Sequence, residues 1–413
     1  MEWRPLSLDQ LLPADHRVRL VWEYVCSLDL TPLYAKIKAI EGQPGRDAAD
    51  PRILVALWMM ATIETISSAR FLGRLCERDA VYQWIRGGVG VNYHMLSDFR
   101  TDHGEFLDEL LTNTVATLLH QGLVTLDIVA QDGMRVRANA GSSSFRGEKT
   151  LKKCLAEASE QVRKLSKESE DETEQAAGNT RREAAQKRAA TERQERVQKA
   201  LEELDDLKLQ KEKRKKGTGE TARCSTTDPE ARKMKMGDGG FRPAFNVQLM
   251  TDGDSRIIVG VDVTNAGSDG GQMSPMQEQV RERYGQTPRK CLVDGGFVTH
   301  EEITIAEQCG SEVYAPIHGK ERMEKNGVDP HARQKYDTDE SFAFRKRMAT
   351  EEAKELYKKR PSIAEFPNAE FRNRGLNQFR VRGLVKVKAV ALWHAITFNF
   401  MRMINLGCFE NGS

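Results

Sequence analysis

Asp132 and Asp294 carry the first chemical signal in this 413-residue chain. Each follows a run of strand-forming residues, Ile128-Val129-Ala130 and Cys291-Leu292-Val293, and each is followed by glycine, which lets the backbone turn away and leaves the carboxylate accessible. A single Asp-Gly after a strand reads as a turn. Two of them in one sheet suggest more, because carboxylates at the ends of neighbouring strands face the open edge where α/β sheets build their sites. Like charges that close together are costly unless a cation bridges them. Hard oxygen ligands on a rigid scaffold describe a magnesium or manganese site.

A two-metal site needs a further carboxylate, and the stretch YKKRPSIAEFPNAEFRNRGLNQFRVRGLVKVK offers Glu365 and Glu370. Five residues on a helix amount to about 500°, so the two side chains diverge by about 140° and only one can face the aspartates. Arg372 lies two turns beyond Glu365 and shares its face, which puts a phosphate-binding guanidinium beside that carboxylate and favours Glu365. Pro367 removes a helical donor, so a helix is expected to begin or kink there. With Asp132, Asp294 and Glu365 as ligands, Arg135 and Arg137 are expected to hold a nucleic-acid backbone. Two metal ions about 4 Å apart would then activate a water or a 3′-hydroxyl for in-line displacement at a phosphodiester.

These acids need a scaffold, and the chain supplies one in pieces. Residues 1–120 read as helices joined by short turns. Pro51 opens an apolar core helix running through Ile53–Met60, and Ser67 and Ser68 cap a helix on which Arg70, Arg74 and Arg78 line one face, open to either a phosphate role or plain solvation. From Leu126 the character changes to short strands (126–131, 241–250, 256–265, 291–297 and EVYAPI), with Asp252-Gly253-Asp254 as a hairpin turn, and helices at 271–285 and 300–308. A hairpin followed by alternating helices and strands means a mixed sheet covered by helices. Residues 146–226 interrupt it with a Lys-, Arg-, Glu-, Gln- and Ala-rich insertion. Leu151, Leu155, Ala158, Val162 and Leu165 keep a 4,3,4,3 spacing that Val197, Leu201 and Leu204 resume beyond Gly178-Asn179. Two amphipathic helices follow, in a hairpin or an intermolecular pair, serving as a self-paired spacer or as a DNA arm.

Composition leaves the partner to local clusters, since 63 Lys+Arg against 61 Asp+Glu give a formal charge of only +2. The seven cysteines are scattered without a C-x-x-C pair, which fits a reducing compartment better than a disulfide framework or a zinc site, and the eight histidines show no ligand spacing. No apolar run is long enough for a bilayer and the N-terminus lacks signal-peptide character, so the expected location is the cytoplasm, in association with the nucleoid.

The residues resemble a known family, the bacterial insertion-sequence transposases of the DDE type. The likeness runs through DPRILVALWMMATIETISSARFLGRLC with HMLSDFR, DGMRVRANA, STTDPEARKMKMGDGGFRPAFNVQ, VTNAGSDGGQMSPM, LVDGGF and AEF with RNRGLNQFRVRGLVKVKAVALWHAITFN. The resemblance implies a ribonuclease-H-like α/β domain, a mixed sheet flanked by helices, built from residues 121–145 and 227–413. It would be preceded by an all-α DNA-binding domain (1–120); the helical insertion (146–226) that splits it after the first acid segment differs from relatives that interrupt the fold just before the glutamate. It implies Asp132, Asp294 and Glu365 as metal-binding catalytic acids, two Mg2+ (or Mn2+) ions, and DNA cleavage with strand transfer. Many relatives carry Y-x2-R-x3-E-x6-K. Here Tyr357, Arg360, Glu365 and Arg372 read Y-x2-R-x4-E-x6-R, one residue longer, with arginine for lysine.

At the C-terminus, Val385, Ala389, Leu392, Ile396 and Phe400 form a stripe that packs on the sheet, and Trp393 and His394 read as packing residues. Arg380, Arg382, Lys386 and Lys388 cluster at that helix's entrance, a candidate phosphate contact, while Asp228 and Asp269 read as turn or cap residues, with support of a neighbouring site residue as the alternative. The expected partners are double-stranded DNA, both element ends and target, and further copies of the chain in a homodimer or larger synaptic assembly. The competing readings are a metal-dependent nuclease without strand transfer and a catalytically inactive DNA-binding protein.

Overall fold

The computed structural model describes residues 7–37, 48–171 and 180–409. Its strands are β1 (Ile128–Arg137), β2 (Phe145–Arg146), β3 (Cys224–Ser225), β4 (Arg232–Lys235), β5 (Phe241–Asp252), β6 (Ile258–Thr264), β7 (Lys290–Leu292) and β8 (Glu312–Tyr314). Six of them form one mixed sheet in the order β4-β5-β1-β7-β8, with β6 also paired to β5. The β5–β6 hairpin turns at the expected Asp252-Gly253-Asp254. Asp252 fixes that turn by accepting from Ser255 N and Oγ, and it ties the turn to the start of β1 by accepting from Leu126 N. β1 is antiparallel to β5 and parallel to β7, with Ala130 opposite Leu292. The layout, a mixed sheet flanked by helices, is consistent with the expected ribonuclease-H-like fold.

One expectation about β1 fails. The strand does not end at Asp132 but pairs with β5 through Arg137, so Asp132 lies mid-strand and Gly133 is no turn residue. Glycine is required there by a close approach. A Cβ at 133 would stand 2.1 Å from Asp269 Oδ1, 2.5 Å from Gln248 Nε2 and 2.9 Å from Asn246 Oδ1. Asp294, in contrast, does follow its strand, and the chain turns on it: Gly296 N donates to its Oδ1 at 2.7 Å and Phe297 N to its carbonyl at 3.2 Å.

The helix Leu384–Asn405 is the hub of the packing. Residues Val387 and Ala389–Phe400 are all buried because β6 covers one side while the helices Gly104–His120, Tyr93–Asp102 and Pro51–Ile63 cover the others. A single apolar cluster therefore runs from the N-terminal helices into the sheet. Trp58 donates to the Leu96 carbonyl and Trp393 to the Arg100 carbonyl, so both indoles pack and pin helix to helix. Val385, expected on the apolar stripe, is 76% exposed; the stripe starts one turn late because the helix enters from solvent at Gly383. Pro51 and Ser68 open their helices as read, with the Ser68 hydroxyl accepting from Phe71 N.

The insertion folds on itself. Helices Glu148–Asp171 and Thr180–Arg214 pack side by side as a hairpin within the chain, burying Leu151, Ala158, Val197 and Leu204. Gly178-Asn179, between the two predicted helices, lies outside the described residues. The β2–β3 pair closes the hairpin's base, and ion pairs Arg232–Glu203 and Lys199–Glu230 anchor its second helix to the body. Among the described residues no helix is long and apolar enough to cross a membrane.

Candidate active site

Asp132 projects from β1 toward the helix Arg360–Asn373, which packs across β1 and β5. That helix runs unbroken through Pro367, which is buried within it. Arg360, only 8% exposed, donates from Nη2 to Asp132 Oδ1 at 3.2 Å, and its Nη1 stands 4.0 Å from Glu365 Oε1. Asn368 donates from Nδ2 to Asp132 Oδ2 at 2.8 Å, and Gly133 N donates to Oδ1 at 3.0 Å. Asp294 lies in the turn that follows β7, two residues past the Ala130–Leu292 pair, and its charge acts on Asp132. Burial pushes the Asp132 carboxyl up to about 6, with Arg360 pulling it back down and Asp294 and Asp269 pushing it further up. Tyr357 ends the preceding helix, and burial raises its hydroxyl while Arg360, Asp294 and Asp132 all act on it. The extra residue between Arg360 and Glu365 therefore leaves Tyr357 and Arg360 beside the aspartates.

Glu365 and Glu370 part company as the helical wheel requires. Glu365 faces Arg360 with its side chain 63% exposed, while Glu370 pairs with Arg374 at 3.1 Å. Arg360 thus lies between Asp132 and Glu365, a cation held by two carboxylates. Among the described residues no group of three or more His, Cys, Asp or Glu side chains is drawn together closely enough to hold a metal ion. The donor set nevertheless suits a hard divalent cation: carboxylate oxygens on adjacent strands, a third carboxylate on a mobile-length side chain, and a guanidinium marking where positive charge is already stabilised. Asp132, Asp294 and Glu365 are the residues that would hold such an ion.

Behind Asp132, on the opposite face of β1, lies a polar network that sequence reasoning missed. Asp269 Oδ1 accepts from Asn246 Nδ2 at 2.7 Å and from Gln248 Nε2 at 2.9 Å, and its Oδ2 accepts from Arg135 Nη2 at 2.8 Å. Gln131 donates to Gln248 and to the Gln272 carbonyl. Asp269 is more than the turn residue it resembled. Arg135, expected to hold a nucleic-acid backbone, is paired with Asp269 through one of its guanidinium nitrogens. The available signal was the alternation of Asn246 and Gln248 within the otherwise apolar run of β5.

The other expected DNA contacts are surface residues. Arg137, Arg372, Arg380, Arg382 and Lys386 are exposed. Arg380, Arg382 and Lys386 line a cleft of about 600 Å³ with Arg196 and Lys199 of the insertion. Asp228 sits at its floor, accepting from Gly383 N at 3.3 Å, and burial raises its carboxyl to about 6. Lys388 instead pairs with Asp262. Arg70, Arg74 and Arg78 are exposed on one N-terminal helix. His394 is buried against Phe371, and burial depresses its imidazole to about 3, which keeps it a neutral packing group.

Two family models match the chain. Residues 316–404 match a transposase DDE domain, a span that contains Tyr357, Arg360, Glu365, Asn368 and Arg372. Residues 6–102 match a transposase domain. No curated protein and no solved structure matches the chain.

Proposed function

We propose that the chain is an insertion-sequence transposase of the DDE type, which binds the ends of its element, cleaves DNA phosphodiesters and joins the ends to target DNA; the transposase-domain matches over residues 6–102 and 316–404 support this reading. The observation that supports this reading is the contact of Asp132, mid-strand in β1, with Arg360 and Asn368 of the helix Arg360–Asn373, with Asp294 near enough for its charge to act on Asp132. Asp132, Asp294 and Glu365 are the residues that would hold a pair of Mg2+ (or Mn2+) ions, which would supply charge neutralisation for an in-line displacement. Arg360 neutralises Asp132 and Glu365 before the reaction and offers its planar donor fork to the scissile phosphate. Tyr357 lines the same pocket and positions the strand at the cut. Asp269, Asn246, Gln248 and Arg135 hold β1 rigid under Asp132, so that its carboxylate does not drift as substrate arrives.

Arg137, Arg372, Arg380, Arg382 and Lys386 contact backbone phosphates, which fixes the register of the duplex without reading its sequence. Residues 1–120 form the end-binding domain, with Arg70, Arg74 and Arg78 on its exposed helix face, and residues 146–226 form an arm joined to the catalytic unit of 121–145 and 227–413. A homodimer or larger assembly brings two ends together, in the cytoplasm at the nucleoid. The test is a reaction of the full chain with Mg2+, a labelled fragment carrying the DNA that flanks the reading frame, and a supercoiled target plasmid. Labelled ends joined to plasmid support the proposal. Cleavage without joining leaves a nuclease, and binding with no cleavage leaves a DNA-binding protein.

A further inference from the structure

Asn368 stands one helical turn beyond Glu365 on the same face, and nothing in the acid triad accounts for it. It is 5% exposed, its Nδ2 donates to Asp132 Oδ2 at 2.8 Å, and its amide oxygen Oδ1 is buried with no hydrogen-bond partner. A buried amide oxygen without a partner is costly, and such an atom beside a functional carboxylate is a sign of a ligand site. The terminal torsion of an asparagine is broad and roughly two-fold, so half a turn exchanges oxygen and nitrogen at little cost. That turn would bring Oδ1 against Asp132 Oδ2. Two acceptors face one another stably only across a cation.

We propose that Asn368 is a fourth ligand of the cation site: its amide N–H holds Asp132 while Arg360 supplies the positive charge, and its oxygen turns toward a divalent ion when one binds Asp132. The inference rests on the proposed acid site. It adds a neutral oxygen donor to three carboxylates, the kind of mixed oxygen set that Mg2+ and Mn2+ accept. It also accounts for the incomplete gathering of the carboxylates, because one of the first two side chains to reach Asp132 from this helix is an amide rather than Glu365.

The test titrates the full chain with Mn2+, without DNA, and follows the free ion by electron paramagnetic resonance. Asn368→Leu removes both polar atoms at nearly constant volume and is expected to weaken Mn2+ binding about tenfold or more. Asn368→Asp keeps an oxygen and loses the N–H, and is expected to bind Mn2+ at least as tightly as the parent. A purely orienting amide predicts the reverse for Asn368→Asp, since a second carboxylate would repel Asp132, so weaker binding by that variant overturns the proposal. Asn368→Leu with parental affinity overturns it as well. Asp132→Asn and Glu365→Gln serve as controls. If they lose Mn2+ binding while Asn368→Leu does not, the fourth ligand fails and the acid site survives; if they too bind like the parent, both fail together.

Discussion

Replacing Asp132 by Asn is expected to stabilise the metal-free protein while abolishing its chemistry. The carboxyl's ordinary value of 3.8 is raised to about 6 in the fold, first by burial and despite the attraction of Arg360. Because the folded value lies above the unfolded one, the stabilising form is the protonated one; its contribution is full below 3.8 and is lost as pH rises through about 6. At pH 7.5 the ionised carboxylate costs about 3 kcal/mol relative to a neutral group, and at pH 5 about half of that. Arg360 is already counted in that balance, since it loses its charged partner equally when Asp132 is protonated. Asp132→Asn should therefore be more stable than the parent by about 1–3 kcal/mol at pH 7.5, the amide being an imperfect copy of the acid. Its advantage should shrink on going to pH 5. Urea unfolding with unchanged slope measures this directly. Mg2+ at a hundredfold excess over its dissociation constant should return about 2.7 kcal/mol to the parent and nothing to the variant. A variant less stable than the parent at pH 7.5, or an advantage that does not vary with pH, refutes the reasoning.

Other expectations follow from the same contacts. Gly133→Ala forces a Cβ to within 2.1 Å of Asp269 Oδ1, and should cost about 2–4 kcal/mol of unfolding free energy by urea titration. Arg135→Ala should lower stability by about 1–3 kcal/mol and leave the salt dependence of DNA binding unchanged, since its charge already serves Asp269. The combined variant Arg380→Ala, Arg382→Ala, Lys386→Ala should fold normally yet lose about one unit of salt slope per phosphate contact removed, read by fluorescence anisotropy at several salt concentrations. Glu365→Gln should abolish DNA cleavage, whereas Glu370→Gln, which loses only its pair with Arg374, should retain it in the same gel assay.

Much of the fold around the candidate site was legible because strong local signals coincide with the global fold. The apolar runs before Asp132 and Asp294 announced two strands, and the structure pairs those runs in parallel. Helical arithmetic separated Glu365 from Glu370, and heptad spacing announced the two helices of the insertion, though not whether they pair within the chain. The failures share a cause, which is contact between residues far apart in the chain. Gly133 looked like a turn because nothing local reveals Asp269 against its Cα; the same carboxylate, 134 residues away, claims Arg135. Val385 fits the apolar stripe by spacing, yet the neighbours that would bury it begin one turn later. Asn368 went unnoticed because an amide in a helix carries no signal until its partner is known.

The central claim is that Asp132, Asp294 and Glu365 converge on divalent cations. Crystals of the full chain bound to a DNA end and soaked in Mn2+, with data collected at the manganese absorption edge, test it most directly. The account predicts anomalous density bridging the Asp132 and Asp294 carboxylates, with Glu365 turned inward to meet it and Arg360 moved onto a phosphate. Manganese found elsewhere, with Arg360 still spanning Asp132 and Glu365, contradicts it.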